Sequence, residues 1–159
     1  MDDELFDDSR LTASGLFIEA FFGLTARLSQ VHADHGLAGT DFDILVRLAR
    51  SPARRLRMTD LAAQSDFSTS GITRVVDRLE GRGLVRRTAC TGDRRSCLAE
   101  LTDAGYERLC ADVPPLIDII QRWLLDPIDP DHLPTFLNAL RAVRDTVRPG
   151  ATAGAPEEG

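Results

Sequence analysis

Apolar residues crowd the stretch from 11 to 31 at nearly every helical position: Leu11, Leu16, Phe17, Ile18, Phe21, Phe22, Leu24, Leu28 and Val31. A surface helix carries one apolar stripe, so this breadth predicts a helix covered on more than one side, as at a subunit interface. Gly36 and Gly39 break the pattern. Thr40 then offers an N-cap, and Asp43 three residues on suits the positive end of a helix dipole. The helix so opened carries Phe42, Leu45, Val46, Leu48 and Ala49, and Ser51-Pro52 ends it because proline disfavours helix in the residue before it.

Leu56-Arg57-Met58 alternates apolar and charged residues, as a very short strand does. Thr59 reads as the N-cap of a short helix through Gln64, and a turn through Ser65-Asp66-Phe67 leads to a second cap, Ser68. Beyond it Ile72, Val75, Val76 and Leu79 fall at i, i+3, i+4 and i+7, and Gly81 and Gly83 close the helix. Two capped helices this close together form a helix-turn-helix pattern. Residues 84–88 and 97–101 then read as strands joined by a turn-rich segment, a hairpin placed where a wing would be. Thr102 caps a long helix carrying Leu109, Val113, Leu116, Ile117, Ile120 and Leu124, with a kink or a fresh start expected at Pro114-Pro115. Residues 126–130 connect to a last helix over 132–147.

The fold class that follows is mostly α with a small β-wing (α+β), a winged helix-turn-helix. Its expected parts are an acidic N-terminal extension (1–8), a helical pairing region (9–36 and 106–148), a DNA-binding winged helix-turn-helix (37–105) and a disordered tail (149–159).

Composition changes this picture in one respect. With 159 residues, 43% apolar and 28% charged, the chain has the make-up of an ordinary globular domain. No uninterrupted apolar run reaches the ~18 residues of a membrane span. The first residues are acidic, and three cysteines are too few for a secreted disulfide framework, so a cytoplasmic protein with no membrane partner is expected. The net charge of −6 argues against nucleic acid as a partner, but its distribution does not. Residues 1–46 carry two arginines against nine acids, residues 47–95 twelve against five, and residues 96–159 five against eleven: −7, +7 and −6. The chain has no lysine, so every fixed side-chain cation is an arginine. A basic middle between acidic flanks points to one anion-binding surface, the alternative being an accident of composition.

The basic block coincides with the helix-turn-helix and hairpin. At about 100° per residue, Ser70, Thr73, Arg74 and Asp77 oppose the apolar stripe of their helix, with Arg78 at the edge. Short hydroxyls near a helix N-terminus grip phosphate, and an arginine reaches guanine O6 and N7 with both arms of its guanidinium. Arg94 and Arg95 sit in the hairpin, where an arginine arm enters a minor groove. Asp93 either holds one of these arginines or simply makes the turn.

The segments Leu56-Arg57-Met58-Thr59-Asp60-Leu61-Ala62 and Ser68-Thr69-Ser70-Gly71-Ile72-Thr73-Arg74-Val75-Val76-Asp77-Arg78-Leu79-Glu80-Gly81-Arg82-Gly83-Leu84-Val85, with Gly92-Asp93-Arg94-Arg95 and Leu101-Thr102-Asp103-Ala104-Gly105, resemble the MarR-type winged-helix regulators. The resemblance implies a homodimer built from the N- and C-terminal helices, bound to a pseudo-palindromic double-stranded operator and usually repressing. By the family pattern Ser68, Ser70, Thr73, Arg74 and Arg78 read the groove, with Arg94 and Arg95 in the wing. Family members commonly release DNA when a small phenolic or aromatic ligand enters a crevice between the dimer helices and the reading head. Phe17, Phe21, Phe22 and Phe42 are the residues here for such a pocket, or else plain core.

Three further readings compete. Cys90 and Cys97 flank the hairpin loop and would form a redox switch if they faced each other, whereas inert cysteines are commoner. His32, Asp34 and His35 make an incomplete zinc set and read better as a solvated helix end, so no metal or other cofactor is expected. Cys110 reads as core. No phosphate-cradling glycine loop, nucleophile elbow or metalloprotease spacing supports an enzyme. The rival from another class is a winged-helix module that docks a protein through its hairpin and leaves DNA alone.

Overall fold

The computed structural model describes the backbone of residues 6–65, 67–90 and 93–152, and the side chains of these residues except 89, 90, 93–96 and 152. Six α-helices and a three-stranded antiparallel sheet are formed: α1 (Ser9–Asp34), α2 (Gly39–Ala49), β1 (Arg55–Arg57), α3 (Met58–Ser65), α4 (Thr69–Gly81), β2 (Val85–Cys90), β3 (Asp93–Leu101), α5 (Asp103–Ile120) and α6 (Leu133–Val147). The sheet runs β1-β3-β2. This is the mostly helical, winged architecture that the periodicity predicts.

The core lies where α2, α3 and α4 meet the sheet. Ile44, Leu45 and Leu48 of α2, Leu61 of α3, Ile72, Val76 and Leu79 of α4, and Val85 and Ala99 of the strands are almost wholly out of water. Burying a side chain of the leucine or isoleucine class contributes about 1.5–3 kcal/mol, so this cluster holds the head together. Ser68 caps α4 by accepting the Gly71 N–H at 3.1 Å, and Thr102 caps α5 by accepting the Gly105 N–H at 3.0 Å. The Thr102 hydroxyl also donates to the Gly83 carbonyl at 2.7 Å, which ties the start of α5 to the turn after α4. Here α5 passes so close that a Cβ on Gly105 would lie 2.1 Å from the Leu84 carbonyl oxygen, an approach only glycine permits.

Several local expectations change. The cap of α2 is Ala38, not Thr40: the Phe42 N–H already bonds the Ala38 carbonyl, which places Thr40 inside the first turn. Because β1 runs straight into α3, Thr59 is likewise inside its helix rather than before it. The proline pair makes no fresh start, since α5 continues unbroken through Pro114 and Pro115. The two carbonyls that lose their partners belong to Cys110 and Ala111, both exposed, so water can take the place of the missing N–H groups. Cys110 is therefore a surface residue and not core. The helix widens into a π turn over Gln121–Leu125. The strands are longer than predicted, so Arg94 and Arg95 lie within β3 and not in the loop. Of the predicted tail, Pro149–Thr152 forms a 3-10 turn against α3, with Gly150 beside the Ala63 carbonyl; residues 153–159 lie outside the described residues.

No residue of α1 or α6 is buried. Phe17, Phe21 and Phe22 are 55%, 56% and 65% exposed. Phe17 and Phe21 face Leu137, Leu140, Val143 and Val147 of α6 across an open groove of about 760 Å³. By length and composition alone, α1 is also apolar enough to cross a membrane, interrupted though its apolar run is.

Candidate nucleic-acid interface

The exposed side of α4 is built by its two ends. Ser68 fixes the N-terminus, and its hydroxyl lies 3.1 Å from that of Ser70. One turn on, the Thr73 hydroxyl donates to the Thr69 carbonyl at 2.8 Å, which leaves its oxygen free to accept. Arg74 projects beside them into solvent and, among the described residues, has no acidic or hydrogen-bonding partner.

Among the described residues, the neighbouring arginines Arg78, Arg82, Arg86 and Arg87 are occupied. Arg78 grips the buried carboxylate of Asp41 on α2: Nε lies 3.1 Å from both oxygens, and Nη2 also donates to Oδ1. That hydrogen bond raises the pKa of Arg78 above the usual arginine value. Arg82 supports the same carboxylate at 3.7 Å and donates to the Gly36 carbonyl at 3.1 Å. Arg87 of β2 reaches back to α4 and contacts Asp77 at 2.6 Å and Glu80 at 2.8 Å, with a weaker bond to the Thr73 carbonyl at 3.3 Å. Burial works against the charge of Arg87, but the bonds and charges of Asp77 and Glu80 win and raise its pKa. Arg86 pairs with Glu100 directly across the hairpin at 2.6 Å. This hydrogen bond holds the Glu100 carboxyl below its usual range.

Of the predicted groove readers, Ser68, Ser70, Thr73 and Arg74 thus share one exposed surface. Arg78 differs from them in that its Nε and Nη2 are engaged by the buried Asp41, although its side chain remains about half exposed. Asp77, on the same face as Arg74, binds Arg87. For Arg94 and Arg95 only the backbone is described, and their side chains, like the loop residues Thr91 and Gly92, lie outside the described residues.

The aromatic quartet is divided. Phe17 and Phe21 line the α1–α6 groove, Phe22 meets Phe21 edge-on at 5.6 Å, and Phe42 packs against the core with its ring 5.0 Å from that of His32. The cysteines of the hairpin are not register partners: Cys97 lies opposite Ala89, and Cys90 opposite Asp93 beyond an irregularity in the ladder. The three residues weighed for metal also part company. Asp34 accepts from Gln30, His35 bonds Asp112 at 2.6 Å, and His32 rests on Phe42.

The sequence reading missed the two buried aspartates, Asp41 and Asp112. Each does what a buried charge requires, since each is met by an arginine: Arg78 for Asp41, and Arg108 at 2.7 Å for Asp112.

The comparisons agree with this geometry. The MarR family profile matches residues 37–97, the span from the start of α2 to the wing. The transcriptional regulator PecS of Dickeya dadantii (strain 3937) is 32% identical over 114 residues, which cover 71% of this chain and 68% of PecS. Other curated relatives are matched over 56% and 46% of their own lengths. Among solved structures, AbsC, a MarR family transcriptional regulator from Streptomyces coelicolor, superposes with a TM-score of 0.82 at 32% identity, over 89% of this chain and 95% of that one. Sco3205, a MarR family regulator of the same organism solved in complex with DNA, gives 0.80 at 34% identity, over 86% and 90%. A helix-turn-helix and wing of this geometry, matched in sequence and in structure by these regulators, place the chain in the MarR family of transcriptional regulators.

Proposed function

We propose that the protein is a homodimeric repressor that seats its two α4 helices in successive major grooves of a pseudo-palindromic operator, about 34 Å apart. The observation that carries this reading is Arg74. Among the described residues it stands unpaired beside Ser70 and Thr73, while Arg78, Arg82 and Arg87 around it are held by acids. An arginine left free beside two hydroxyls has the donors that base edges and phosphates accept. The wing arginines Arg94 and Arg95 follow as the second point of attachment. The bound state of the relative Sco3205 supports the same reading.

The exposed apolar faces of α1 and α6 are assigned to the second copy of the chain, which would fill the groove between them. Release by a small aromatic or phenolic ligand is part of the proposal. Phe17 and Phe21, which line that groove, are the aromatic side chains such a ligand would meet where the second copy leaves it open.

Fluorescence anisotropy on duplexes from the chain's own promoter tests the assignment. An Arg74→Ala, Arg95→Ala double variant should bind far more weakly and with a flatter dependence on log salt concentration, by roughly one unit of slope for each phosphate no longer neutralised. Unchanged affinity would overturn it. Titration of the complex with aromatic acids tests the ligand, and operator affinity indifferent to all of them removes that part.

A further inference from the structure

A single turn between α1 and α2 is gripped from two sides. Gly36 takes the left-handed conformation, with φ of +62°, and so reverses the chain sharply. The two carbonyls at this bend, those of His35 and Gly36, are consecutive. The first accepts a hydrogen bond from Nη2 of Arg108, on α5. The second accepts one from Nη2 of Arg82, at the end of α4, at 3.1 Å. Each arginine is in turn anchored by an aspartate almost wholly removed from water. Arg108 bonds Asp112 at 2.7 Å, and His35 bonds the other oxygen of Asp112 at 2.6 Å. Arg82 lies 3.7 Å from Asp41, which also holds Arg78. Asp41 and Asp112 are 1% and 3% exposed.

We propose that this turn is the joint that sets the angle of α4 against the helical body, with Arg82 and Arg108 as its positioning residues. The two carbonyls belong to adjoining peptide units that meet at the Gly36 Cα, and with both ends held by arginines a displacement of that Cα shifts both acceptors. A tilt of α5 that draws on Arg108 reorients the His35 carbonyl, turns the Gly36 peptide and moves the acceptor that Arg82 holds. Arg82 and Arg78 sit one turn apart at the end of α4 and share Asp41, so the pull acts on the helix as a body. The joint lies at the C-terminal end of α4, eight residues from Arg74, and neither arginine belongs to the groove-facing set. The inference rests on the DNA-binding reading above and adds to it how the body sets the geometry of the head. The buried aspartates also explain why arginines hold the turn. A guanidinium can bond a carboxylate and a carbonyl at once, in fixed directions.

The test uses the full chain and, as probe, the duplex that the wild-type protein enriches from a random pool, beside an unrelated duplex of equal length. Arg82→Gln and Arg108→Gln should each weaken binding to the enriched duplex by about tenfold while leaving the unrelated duplex nearly unaffected. The double variant should lose no more than the worse single one, because both cut the same linkage. Arg108→Lys, which keeps the charge but not the planar fork, should recover only a small part of the affinity. Far-ultraviolet circular dichroism and melting curves confirm that each variant is folded at the assay temperature. Losses that multiply in the double variant, or equal weakening on both duplexes, would overturn the joint. If the wild-type protein enriches no sequence at all, the DNA-binding reading fails first, and that outcome is distinct from an enriched sequence to which the variants bind normally.

Discussion

Arg74 and Arg78 are neighbours on one helix with opposite fates, and substitution separates them. Arg74→Ala removes a side chain that bonds nothing else among the described residues, so its stability should stay within the scatter of surface variants, about 0.5 kcal/mol. Its operator affinity should fall by about 1–3 kcal/mol, with relaxed preference at the base it reads. Arg78→Ala strips the buried Asp41 of its main partner and leaves only Arg82 at 3.7 Å. It should lower stability by about 1–3 kcal/mol in thermal unfolding, tempered by the partial exposure of the Arg78 side chain. Equal behaviour of the two variants in both assays would contradict this division. The pattern already held a sign of it. Asp41 lies three and four residues before Ile44 and Leu45, on the stripe that faces the core, and Asp112 falls in the same way between Leu109 and Leu116. An acid on an apolar stripe announces a buried ion pair, but which arginine closes it depends on an approach between residues 37 apart, as for Arg78 and Asp41. Local periodicity does not reach that far. His32 supplies a pH dependence at the same scale. Burial lowers its pKa, against the charge of Asp112, so the folded state prefers the neutral ring. Stability from this group is complete above the unfolded value near 6.5 and is lost as pH falls below it, through the folded pKa. Melting curves between about pH 7 and pH 5 should show this fall, and His32→Gln should shrink it.

Among the elements, the packing of α5 on the turn after α4 has the least room for change. A methyl group at position 105 would meet the Leu84 carbonyl at 2.1 Å and the Leu101 side chain at 2.7 Å. Leu84 also accepts the Thr102 N–H, so the strand end cannot retreat without breaking that bond. Gly105→Ala should therefore cost about 1–3 kcal/mol or more, read as a lower midpoint in urea unfolding. A neutral result would mean that α5 slides freely on the sheet. The caps Ser68 and Thr102 were legible in the sequence because a hydroxyl before an apolar stripe needs only its own helix to act. The cap of α2 was not: Ala38 begins that helix with its backbone alone, under the restraint of the preceding turn, and Thr40 lost its expected role to chain direction. The fresh start at the proline pair does not occur for a related reason. Residues 110 and 111, whose carbonyls lose their partners, are exposed, and exposure is a tertiary fact that the dipeptide does not carry.

At the scale of the whole molecule, α1 and α6 are helices without a core of their own. Their breadth of apolar positions was readable along the chain, and a side chain such as Phe17 leaves more than half of its surface in water in the single chain. Sedimentation should give twice the chain mass of 17.4 kDa, and a Phe17→Glu, Leu140→Glu variant should sediment as a single chain that no longer holds a two-site operator. A monomeric wild type that floats with lipid vesicles would instead give the apolar side of α1 to a membrane. The charge distribution acts at this scale too. Arg47 to Arg87 of the basic block lie on the head, while Glu19 and Asp34 of α1, Asp118 of α5 and Asp145 of α6 give the helical body acids that would repel a phosphate backbone.

The small sheet has a consequence for life at high concentration. Open strand edges invite pairing with other molecules, the first step toward fibrils. One edge here is β1, three residues long with an arginine at each end. On the other, the Arg87 N–H of β2 is already taken by the Glu80 carboxylate at 3.0 Å, and the Arg87 side chain folds back over the same acid. An incoming strand would find like charge on one border and an occupied donor on the other. The ion pairs that tie β2 to α4 therefore also guard the sheet against aggregation.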